Sequence, residues 1–509
     1  MRLAALALLA VASAPAAAQT PTYRVYPVPV ESPNHTAPPP PADARVLLVE
    51  PNDPLASPFG WLDTDGVPGP DATTATGNNV VAFFDLNGNG QPDAGEVPDG
   101  GPPLAFDFPL DLAVPIDSRD ALAANVFYWT NVFHDVTYRH GFTEAAGNFQ
   151  VNNYGRGGVA GDYIRAGIPA GGGGGATMTT PADGASPRLV IGGFLPTRPG
   201  ALDAGVLVHE LGHGISSRLT GGPSNPGCLS NAEQAGEGWS DFYGLMLTMR
   251  TDHTGAGGRT IGTWIAGQSA DGPGIRPAPY STDFSVNDYT YGDTQTAAVP
   301  HGTGFVWMTI LWEALWELVN AAGFDPDLYD SDGTAGNQMA MSLVTAGMAL
   351  QPCQPGFVDA RDAILAADQA LYAGANTTRL WSAFARRGLG WSASQGTSNS
   401  NADNVEGFDM PPTTPAAPTA PAAALALHAP APNPLGATAR VRFELPATGR
   451  ARLSLFDAQG REVGVLVDGE RPGGGQEVVL DATPLAAGVY VLRLSAGGDV
   501  RTIRVAIAR

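Results

Sequence analysis

The sequence predicts an α+β fold with a β- and loop-rich start, a mainly helical middle and a separate, small all-β sandwich at the end. Three observations support this prediction. Residues 19–115 are rich in proline, aspartate and glycine around short apolar runs, which is typical of strands and loops. Helical patterns recur across 116–410. A Pro/Ala/Thr-rich linker at 411–429 separates them from alternating segments at 430–509.

Residues 1–18 have the form of a secretory signal peptide. Arg2 gives a positive start, an apolar run follows it, and Ala16 to Ala18 form an A-x-A cleavage site. The apolar run is too short to cross a bilayer, and no later stretch is long and apolar enough to do so. We therefore expect a secreted, extracellular protein without a membrane span.

The charge of the chain limits the kinds of partner it can have. Its 509 residues include 49 acidic and 27 basic ones, for a formal net charge of −22. Because nucleic acids and anionic membranes bind cationic surfaces, we expect neither to be a main partner. All the basic residues are arginine, which excludes mechanisms that need a lysine amine, such as Schiff-base chemistry.

The elements follow in order along the chain. Apolar runs at 46–49 and 80–84 predict strands. Five consecutive glycines, Gly171 to Gly175, predict a loop or the rim of a strand. Seven helices are predicted, at 119–139, 201–219, 230–250, 301–320, 335–350, 357–373 and 377–388.

The last 80 or so residues predict a small β-sandwich, because short alternating segments are separated by glycine turns. The predicted strands are 439–445, 451–456, 477–480, 489–494 and 501–507. This part carries 10 arginines against 8 acidic residues, whereas residues 1–429 carry 17 against 41. The two parts therefore have surfaces of different charge.

The most informative motif is His209-Glu210-Leu211-Gly212-His213, which lies inside an apolar helical pattern. On a helix, residues four apart share one face, so His209 and His213 can bind one zinc ion while Glu210 lies beside them. The alternative is a pair of half-buried histidines on a core helix.

Glu237 is a third candidate ligand, since it lies between two glycines on the next predicted helix. We expect Asn231 to cap this helix and Glu233 to lie in its first turn. An antiparallel arrangement would bring Glu237 against the histidines and form a catalytic zinc site with one open position. Asp241, one turn further on, would accept the outer N–H of a zinc-bound histidine. The alternative for Glu237 is a solvated helix charge.

Residues 208–222, followed by 231–242, closely resemble the fungalysin family of secreted metallopeptidases, relatives of the thermolysin type. The similarity extends over roughly 22–411. It implies a zincin fold with a mixed α/β N-terminal lobe, a mainly helical C-terminal lobe and one zinc ion per chain. It also implies hydrolysis of internal bonds in protein and peptide substrates. We expect the protein to be a monomer.

The chemistry of such a site implies that Glu210 is the general base, taking a proton from water and passing it to the leaving amine. His301 looks like the family's transition-state-stabilising histidine; for an isolated histidine the alternative is a polar helix start. A different class is a surface adhesin or binding protein that retains an inactive peptidase fold. An inactive peptidase would be expected to have lost at least one residue of the metal site. None is lost here, since the chain has His209, Glu210, His213, Glu237 and Asp241.

The sequence departs from the family at its substrate-facing edge strand. Where the family has an Asn-Asn-Ala-Asn-Phe type segment, this chain has Gly174 to Met178. Thr177 can hydrogen-bond a peptide backbone, but more weakly than an amide that both donates and accepts. We therefore expect altered substrate contacts here and unchanged zinc chemistry.

Residues 85–96 fit the twelve-residue calcium-loop template D-x-N-x-N-G-x5-E. A strand-like run precedes the loop, so it is not a paired EF-hand. The alternative is an acidic surface turn. The candidate Ca²⁺ ligands are Asp85, Asn87, Asn89, Gln91, Asp93 and Glu96.

The two cysteines, Cys228 and Cys353, would form one disulfide in an oxidising compartment, since free thiols would be oxidised there.

One predicted helix carries three tryptophans. Trp307, Trp312 and Trp316 recur along it and predict a buried aromatic stripe.

The C-terminal unit has a resemblance of its own. Its opening Pro-Asn-Pro at 432–434, its Leu-Phe-Asp segment at 455–463 and its Gly-Val-Tyr segment at 485–490 look like the type A sorting domain of the type IX secretion system. This implies that the type IX machinery binds 430–509 and exports the protein from the periplasm, with transient cell-surface attachment as an option. The alternative is a generic β-sandwich that binds carbohydrate or protein.

Overall fold

A computed structural model describes residues 20–412, 425–430 and 433–508, which divide into two compact units between Pro411 and Pro412. The division falls where the sequence predicts the linker to begin. The predicted signal peptide at 1–18, most of the linker and Pro432 of the sorting-domain motif lie outside the described residues.

The first unit contains two small sheets. Its strands are β1 Thr22–Val25, β2 Val46–Val49, β3 Val80–Asp85, β4 Ala105–Phe106, β5 Ile164–Pro169, β6 Ala176–Thr179 and β7 Arg188–Ile191. One sheet has the order β2-β1-β4 and the other β3-β5-β7-β6. In the second sheet β3, β5 and β7 are parallel, and β6 pairs with β7 in the antiparallel sense. This leaves β6 at the edge of the sheet.

The seven predicted helices are all present; the first has the predicted bounds and the other six differ at one or both ends. They are α1 Arg119–Arg139, α2 Ala204–Leu219, α3 Gly236–Leu247, α4 His301–Ala322, α5 Gly336–Leu350, α6 Phe357–Tyr372 and α7 Thr377–Arg386. The first unit thus combines sheets with helices, as predicted. The glycine run at 171–175 is a loop between β5 and β6, where Gly172, Gly174 and Gly175 adopt positive φ.

The predicted start of α3 is wrong. Ala235, not Asn231, directly precedes the helix. The Asn231 Nδ2 donates to the backbone carbonyls of Pro355 and Ser398, at 2.8 and 2.9 Å, and its Oδ1 accepts no hydrogen bond from any described residue. Glu233 also lies before the helix, where it accepts from the Tyr291 hydroxyl. Segments far along the chain therefore use both polar side chains, and the helix begins only at Gly236.

A continuous hydrophobic core lies between the helices and sheets of the first unit. Helix α1 is buried along nearly its whole length. Trp307, Trp312 and Trp316 of α4 are all buried, which confirms the predicted stripe. The Trp307 ring packs edge-on against Trp239 of α3, with centroids 4.9 Å apart. The aromatic residues of α4 thus help to fix α3, the helix that carries Glu237.

The predicted disulfide between Cys228 and Cys353 is present, with the sulfur atoms 2.15 Å apart. It joins the loop between α2 and α3 to the loop between α5 and α6. The bridge therefore ties the chain just before α3 to a segment 125 residues further on.

The second unit is a sandwich of two sheets, ordered β11-β10-β13-β14 and β12-β9-β8. Alternate residues of β9 are buried, as a half-buried strand requires. Its strands are β8 Ala426–Leu427, β9 Thr438–Leu445, β10 Gly449–Phe456, β11 Glu462–Arg471, β12 Gly474–Asp481, β13 Gly488–Ala496 and β14 Asp499–Ile507.

The sequence pattern missed β11 altogether, and it placed Gly474 and Gly475 in a turn although both belong to β12. Strand β11 lies at the edge of its sheet and buries Val467 alone among its ten residues. Its pairing with β10 is also interrupted by register shifts. Because β11 is mostly exposed and irregular, its sequence lacks the alternation of apolar and polar residues by which a strand is predicted.

Candidate metal centre

Helix α2 carries the paired histidines. Asp203 caps it, since its Oδ1 accepts a hydrogen bond from the Val206 backbone N–H at 3.2 Å. The apolar residues before the first histidine are buried and hold the helix in the core. His209 and His213 lie one turn apart, with ring centroids separated by 4.8 Å and ring planes at 89°. Their nitrogens therefore face a common region beside the helix.

Glycines let the neighbouring helices come close enough to complete the site. A Cβ on Gly212 of α2 would lie 2.6 Å from the Ser240 Cα of α3, and one on Gly304 of α4 would lie 2.3 Å from the Glu237 Cβ. A Cβ on Gly238 would meet the Gly304 carbonyl at 2.4 Å. Any side chain at these positions would push the helices apart and displace Glu237.

The structure brings the three predicted ligands together. Glu237 Oε2 lies 3.2 Å from His209 Nε2, and Glu237 Oε1 lies 3.6 Å from His213 Nε2. One donor atom from each residue lies within 4.8 Å of the other two. Two imidazole nitrogens and one carboxylate oxygen at this spacing match the donor set of a catalytic zinc site. The residues present therefore fit the metal.

Among the described residues, a second group of possible metal ligands has the same spacing of donor atoms. It consists of Asp63, Asp65 and Asp71. It contains oxygen donors alone, whereas zinc prefers nitrogen and sulfur ligands. The histidine-containing group is therefore the better candidate for zinc.

Asp241 lies where the sequence predicts it, behind the first histidine. It is fully buried and accepts the His209 Nδ1 proton at 2.6 Å, which leaves His209 Nε2 directed at Glu237. This contact fixes both the tautomer and the orientation of the ring.

Sequence analysis missed the two residues that hold Asp241. Arg276 donates through Nε to Asp241 Oδ2 at 2.7 Å and through Nη2 to Oδ1 at 2.8 Å, and the Tyr280 hydroxyl donates to Oδ2. Arg276 Nη2 also lies 3.2 Å from Glu237 Oε2. Both residues lie in an irregular proline-containing segment, and their contacts with Asp241 span 35 and 39 residues, which no local pattern indicates.

The charges of the cluster set its protonation states. Burial lowers the pKa of His213 to about 4, and the neighbouring charge of His209 adds to this effect. Burial would also lower the pKa of His209, but the charge of Asp241 and the hydrogen bonds with Asp241 and Glu237 outweigh it and raise that pKa to about 10. Burial opposes ionisation of Glu237, yet the adjacent histidines hold its pKa at about 2. Glu237 is thus anionic, as a metal ligand must be, and a cation bound beside it would displace the proton from His209 Nε2.

Glu210 follows His209 on α2 and is 7 % exposed. Burial raises the pKa of its carboxyl group to about 7, with the negative charge of Glu237 contributing in the same direction. A carboxylate with a pKa near neutrality can both take and return a proton at physiological pH.

His301 is the first residue of α4, and its side chain is 69 % exposed. Its Nε2 lies 3.4 Å from Glu237 Oε1, so it reaches the mouth of the cluster. It is not part of the group of three donors that lie within 4.8 Å of one another. A cavity of about 360 Å³ opens beside it, lined in part by Ile275, Arg276 and Phe305.

The edge strand β6 lies beside α2, since a Cβ on Gly214 would meet the Met178 side chain at 3.0 Å. Thr177 and Thr179 point outwards and are exposed. The edge of β6 that is not paired with β7 therefore offers backbone hydrogen-bonding groups close to the helix that carries the metal ligands.

Residues 22–393 match the family described as fungalysin metallopeptidase (M36). The extracellular metalloproteinase MEP of Pyricularia oryzae is 44% identical over 374 residues, which cover 71% of this chain and 58% of that protein. The extracellular metalloproteinase 2 of Trichophyton tonsurans is 40% identical over 366 residues, or 70% of this chain and 56% of that protein. The chain thus spans a little over half the length of the curated relatives it matches.

One solved structure is similar to a small part of this chain. It is PorZ, a surface component of the type IX secretion system of Porphyromonas gingivalis, and the match covers 16% of this chain and 11% of the PorZ chain. The identity is 19% and the TM-score 0.13, which is too low to support an inference about this protein. None of the helices in the described ranges is long and apolar enough to cross a membrane.

Proposed function

The chain belongs to the fungalysin metallopeptidase family, and from this premise we propose that it is a secreted, zinc-dependent endopeptidase that cleaves internal peptide bonds of proteins. The observation that carries the proposal is the convergence of His209, His213 and Glu237 within 4.8 Å, with Glu210 on the same helix. Secretion is proposed because the relatives are extracellular metalloproteinases.

His209, His213 and Glu237 would hold the zinc ion. When bound, zinc would supply a Lewis acid that polarises the scissile carbonyl and lowers the pKa of a water molecule. Asp241 keeps the first histidine in the required tautomer, and Arg276 neutralises part of the negative charge behind the ligands. The chain thereby provides an oriented donor set rather than one that must rearrange on binding.

Glu210 is proposed as the general base. Its carboxylate would take a proton from the attacking water and return it to the nitrogen of the leaving amine. Because the side chain is buried and its pKa lies at about 7, the cost of carrying that proton between the two steps is small. His301, whose imidazole lies exposed at the mouth of the cluster, would donate a hydrogen bond to the oxyanion that develops on the substrate.

The substrate is proposed to bind as an extended peptide along the free edge of β6. Backbone groups of β6 can pair with such a peptide, as in other cases of strand addition. Thr177 contributes a hydroxyl where the family has an amide, so the contact with the substrate backbone depends more on main-chain groups here.

Digestion of casein by the purified protein tests this function. We expect fragments whose ends lie inside the casein sequence, loss of cleavage with a zinc chelator, and recovery when zinc is returned. Mass spectrometry of the fragments distinguishes internal cleavage from trimming of the ends. Intact casein after incubation with the zinc-loaded protein would instead favour a binding protein that retains an inactive peptidase fold.

Arg276 is expected to act as a positioning residue. In Arg276→Met, buried Asp241 loses the cation that best stabilises its charge, so we expect zinc affinity to fall by about 10- to 100-fold. Arg276→Lys keeps the positive charge but not the bidentate hydrogen bonding to Asp241, so its zinc affinity should fall by less. Competition with a chromophoric chelator measures this affinity. Arg250→Met is the matched control, since Arg250 pairs with exposed Asp252 and should leave zinc affinity unchanged.

If Arg276→Met bound zinc as tightly as the unchanged protein, the positioning role would be wrong. A lower melting temperature without a change in zinc affinity would likewise mean that Arg276 supports only the fold.

For the second unit we propose a role in export through the type IX secretion machinery. The proposal is supported by the motif resemblance and by the compactness of this unit, which holds its own hydrophobic core. Removal of 430–509 is expected to leave peptidase activity unchanged and to retain the protein in the periplasm of the native host. Measurement of casein cleavage in medium and periplasm checks this. Undiminished activity in the medium would contradict the sorting role and favour a carbohydrate- or protein-binding sandwich.

A further inference from the structure

The loop that follows β3, residues 85–96, contains none of the residues of the metal centre. It begins at Asp85, the last residue of the strand, and returns at Glu96, whose carbonyl accepts the Phe84 N–H at 2.9 Å. Gly90 adopts φ of +68° at the sharp turn. A Cβ there would lie 2.3 Å from the Arg188 guanidinium, which can move aside, so the positive φ is what favours glycine at this position.

Asp85 has one carboxylate oxygen satisfied and the other without a partner. The residue is 6 % exposed, and its Oδ2 accepts the Gly90 N–H at 2.9 Å. Its Oδ1 is buried and receives no hydrogen bond from any described residue. Leaving a buried charged oxygen unpaired is costly, so this atom indicates a cationic partner. Arg188 forms a long ion pair with the other oxygen, with its Nη2 3.8 Å from Oδ2, and makes no hydrogen bond to Oδ1.

The polar side chains on the open side of the loop converge on a single oxygen. The amide nitrogens of Asn87 and Asn89 both donate to Asp93 Oδ2, at 2.7 and 2.8 Å. All three residues are exposed, so an ion can reach them from solvent. The amide oxygens of Asn87 and Asn89 now accept the backbone N–H groups of Asn89 and Gln91, at 3.0 and 2.7 Å. A half-turn of each amide would exchange these bonds for an oxygen facing the carboxylate side of the loop, which converts two donors into acceptors.

Glu96 has a different role from the other acidic residues. It is buried, and its two oxygens accept the backbone N–H groups of Leu86 and Asp93, at 2.8 and 3.0 Å. The three carboxylates of the loop do not form a group within 4.8 Å of one another, unlike the zinc ligands. Glu96 thus closes the loop by tying its two ends together.

We propose that the 85–96 loop binds one calcium ion, through Asp85 Oδ1, the Asp93 carboxylate and the amide oxygens of Asn87 and Asn89. The main-chain carbonyl of Gln91 occupies the template position that supplies a backbone ligand. All these donors are oxygens, which excludes metals that prefer nitrogen or sulfur. Calcium accepts such an irregular, flexible set, whereas magnesium demands near-octahedral geometry.

The function proposed for the site is structural. The ion would bind the folded loop and not the unfolded chain, so each tenfold rise in calcium above its dissociation constant should raise the folding equilibrium constant about tenfold. Because only two carboxylates bind directly, we expect an affinity in the range of extracellular calcium modules, with Kd of about 10⁻⁴ to 10⁻³ M.

Thermal unfolding of the full chain at saturating zinc tests the proposal. Calcium raised from about 0.1 to about 10 mM should raise the melting temperature progressively, and magnesium at the same concentrations should raise it much less. The shift should be lost in Asp85→Asn, which keeps the size of the side chain and an acceptor for the Gly90 N–H. Asp65→Asn removes one carboxylate from the other acidic group and is the matched control that should keep the shift.

Calorimetric titration of the unchanged protein and of Asn89→Ala provides a measurement that does not depend on Asp85→Asn being stable. Asn89 is exposed, so its replacement should weaken calcium binding without harming the fold.

A melting temperature that does not change with calcium would overturn the proposal. So would a full calcium shift in Asp85→Asn, or one lost in Asp65→Asn instead, since both would place the ion elsewhere. An equal response to magnesium would overturn the assignment to calcium.

Discussion

Glu210→Gln is expected to reduce peptide hydrolysis by more than about 100-fold while leaving zinc content and fold unchanged. The amide has the shape of the carboxylate but cannot take a proton from water. The three proposed ligands do not include Glu210, so the metal should stay bound. The cavity and the neighbouring helices also keep their packing, because the substitution adds no atoms to a buried position.

The measurement is kcat/KM on a peptide substrate, together with the zinc content of the same preparation. Glu317→Gln makes the identical chemical change at a half-buried position on α4 and should retain full activity. Activity above a few per cent of that of the unchanged protein would contradict the general-base assignment. A loss of zinc in Glu210→Gln would show instead that Glu210 helps to bind the metal.

Glu237→Ala is expected to lose both zinc and activity. The substitution removes the carboxylate that lies 3.2 Å from His209 and 3.6 Å from His213, so two imidazoles alone would have to bind the ion. It also leaves the Arg276 cation beside the site with less negative charge to balance it, which disfavours a second cation there. His209→Ala should have the same outcome, since it removes one of the two imidazole donors and with it the ring that Asp241 orients.

Elemental analysis after dialysis checks this prediction, and the response of the melting temperature to added zinc gives a second reading. The unchanged protein should melt at a higher temperature with zinc, whereas both variants should show no such response. One zinc per chain in both variants would mean that the ligand set is wrong. Comparison with Glu210→Gln then separates the two roles, because that variant alone should keep zinc and lose activity.

The fold and the site were predictable wherever the determining residues lie close together in sequence. The pair His209 and His213 needs only one helical turn, and apolar residues around it predict that turn. The helices and the regular strands of the sandwich, such as β9, follow from equally local patterns. The start of α3 could not be predicted in this way, because later segments of the chain bind Asn231 and Glu233.

The sequence by itself determined the chemical types available: a histidine pair with its glutamate, a second glutamate between glycines, one pair of cysteines and an acidic loop. Only the tertiary structure decided what these groups touch. Arg276 and Tyr280 reach Asp241 from an irregular segment, and Gly304 lets α4 approach Glu237. Local patterns arise from the period of a helix or strand and are visible in the sequence. Contacts between distant segments depend on how closely the backbones can pack, which is settled only when the whole core forms.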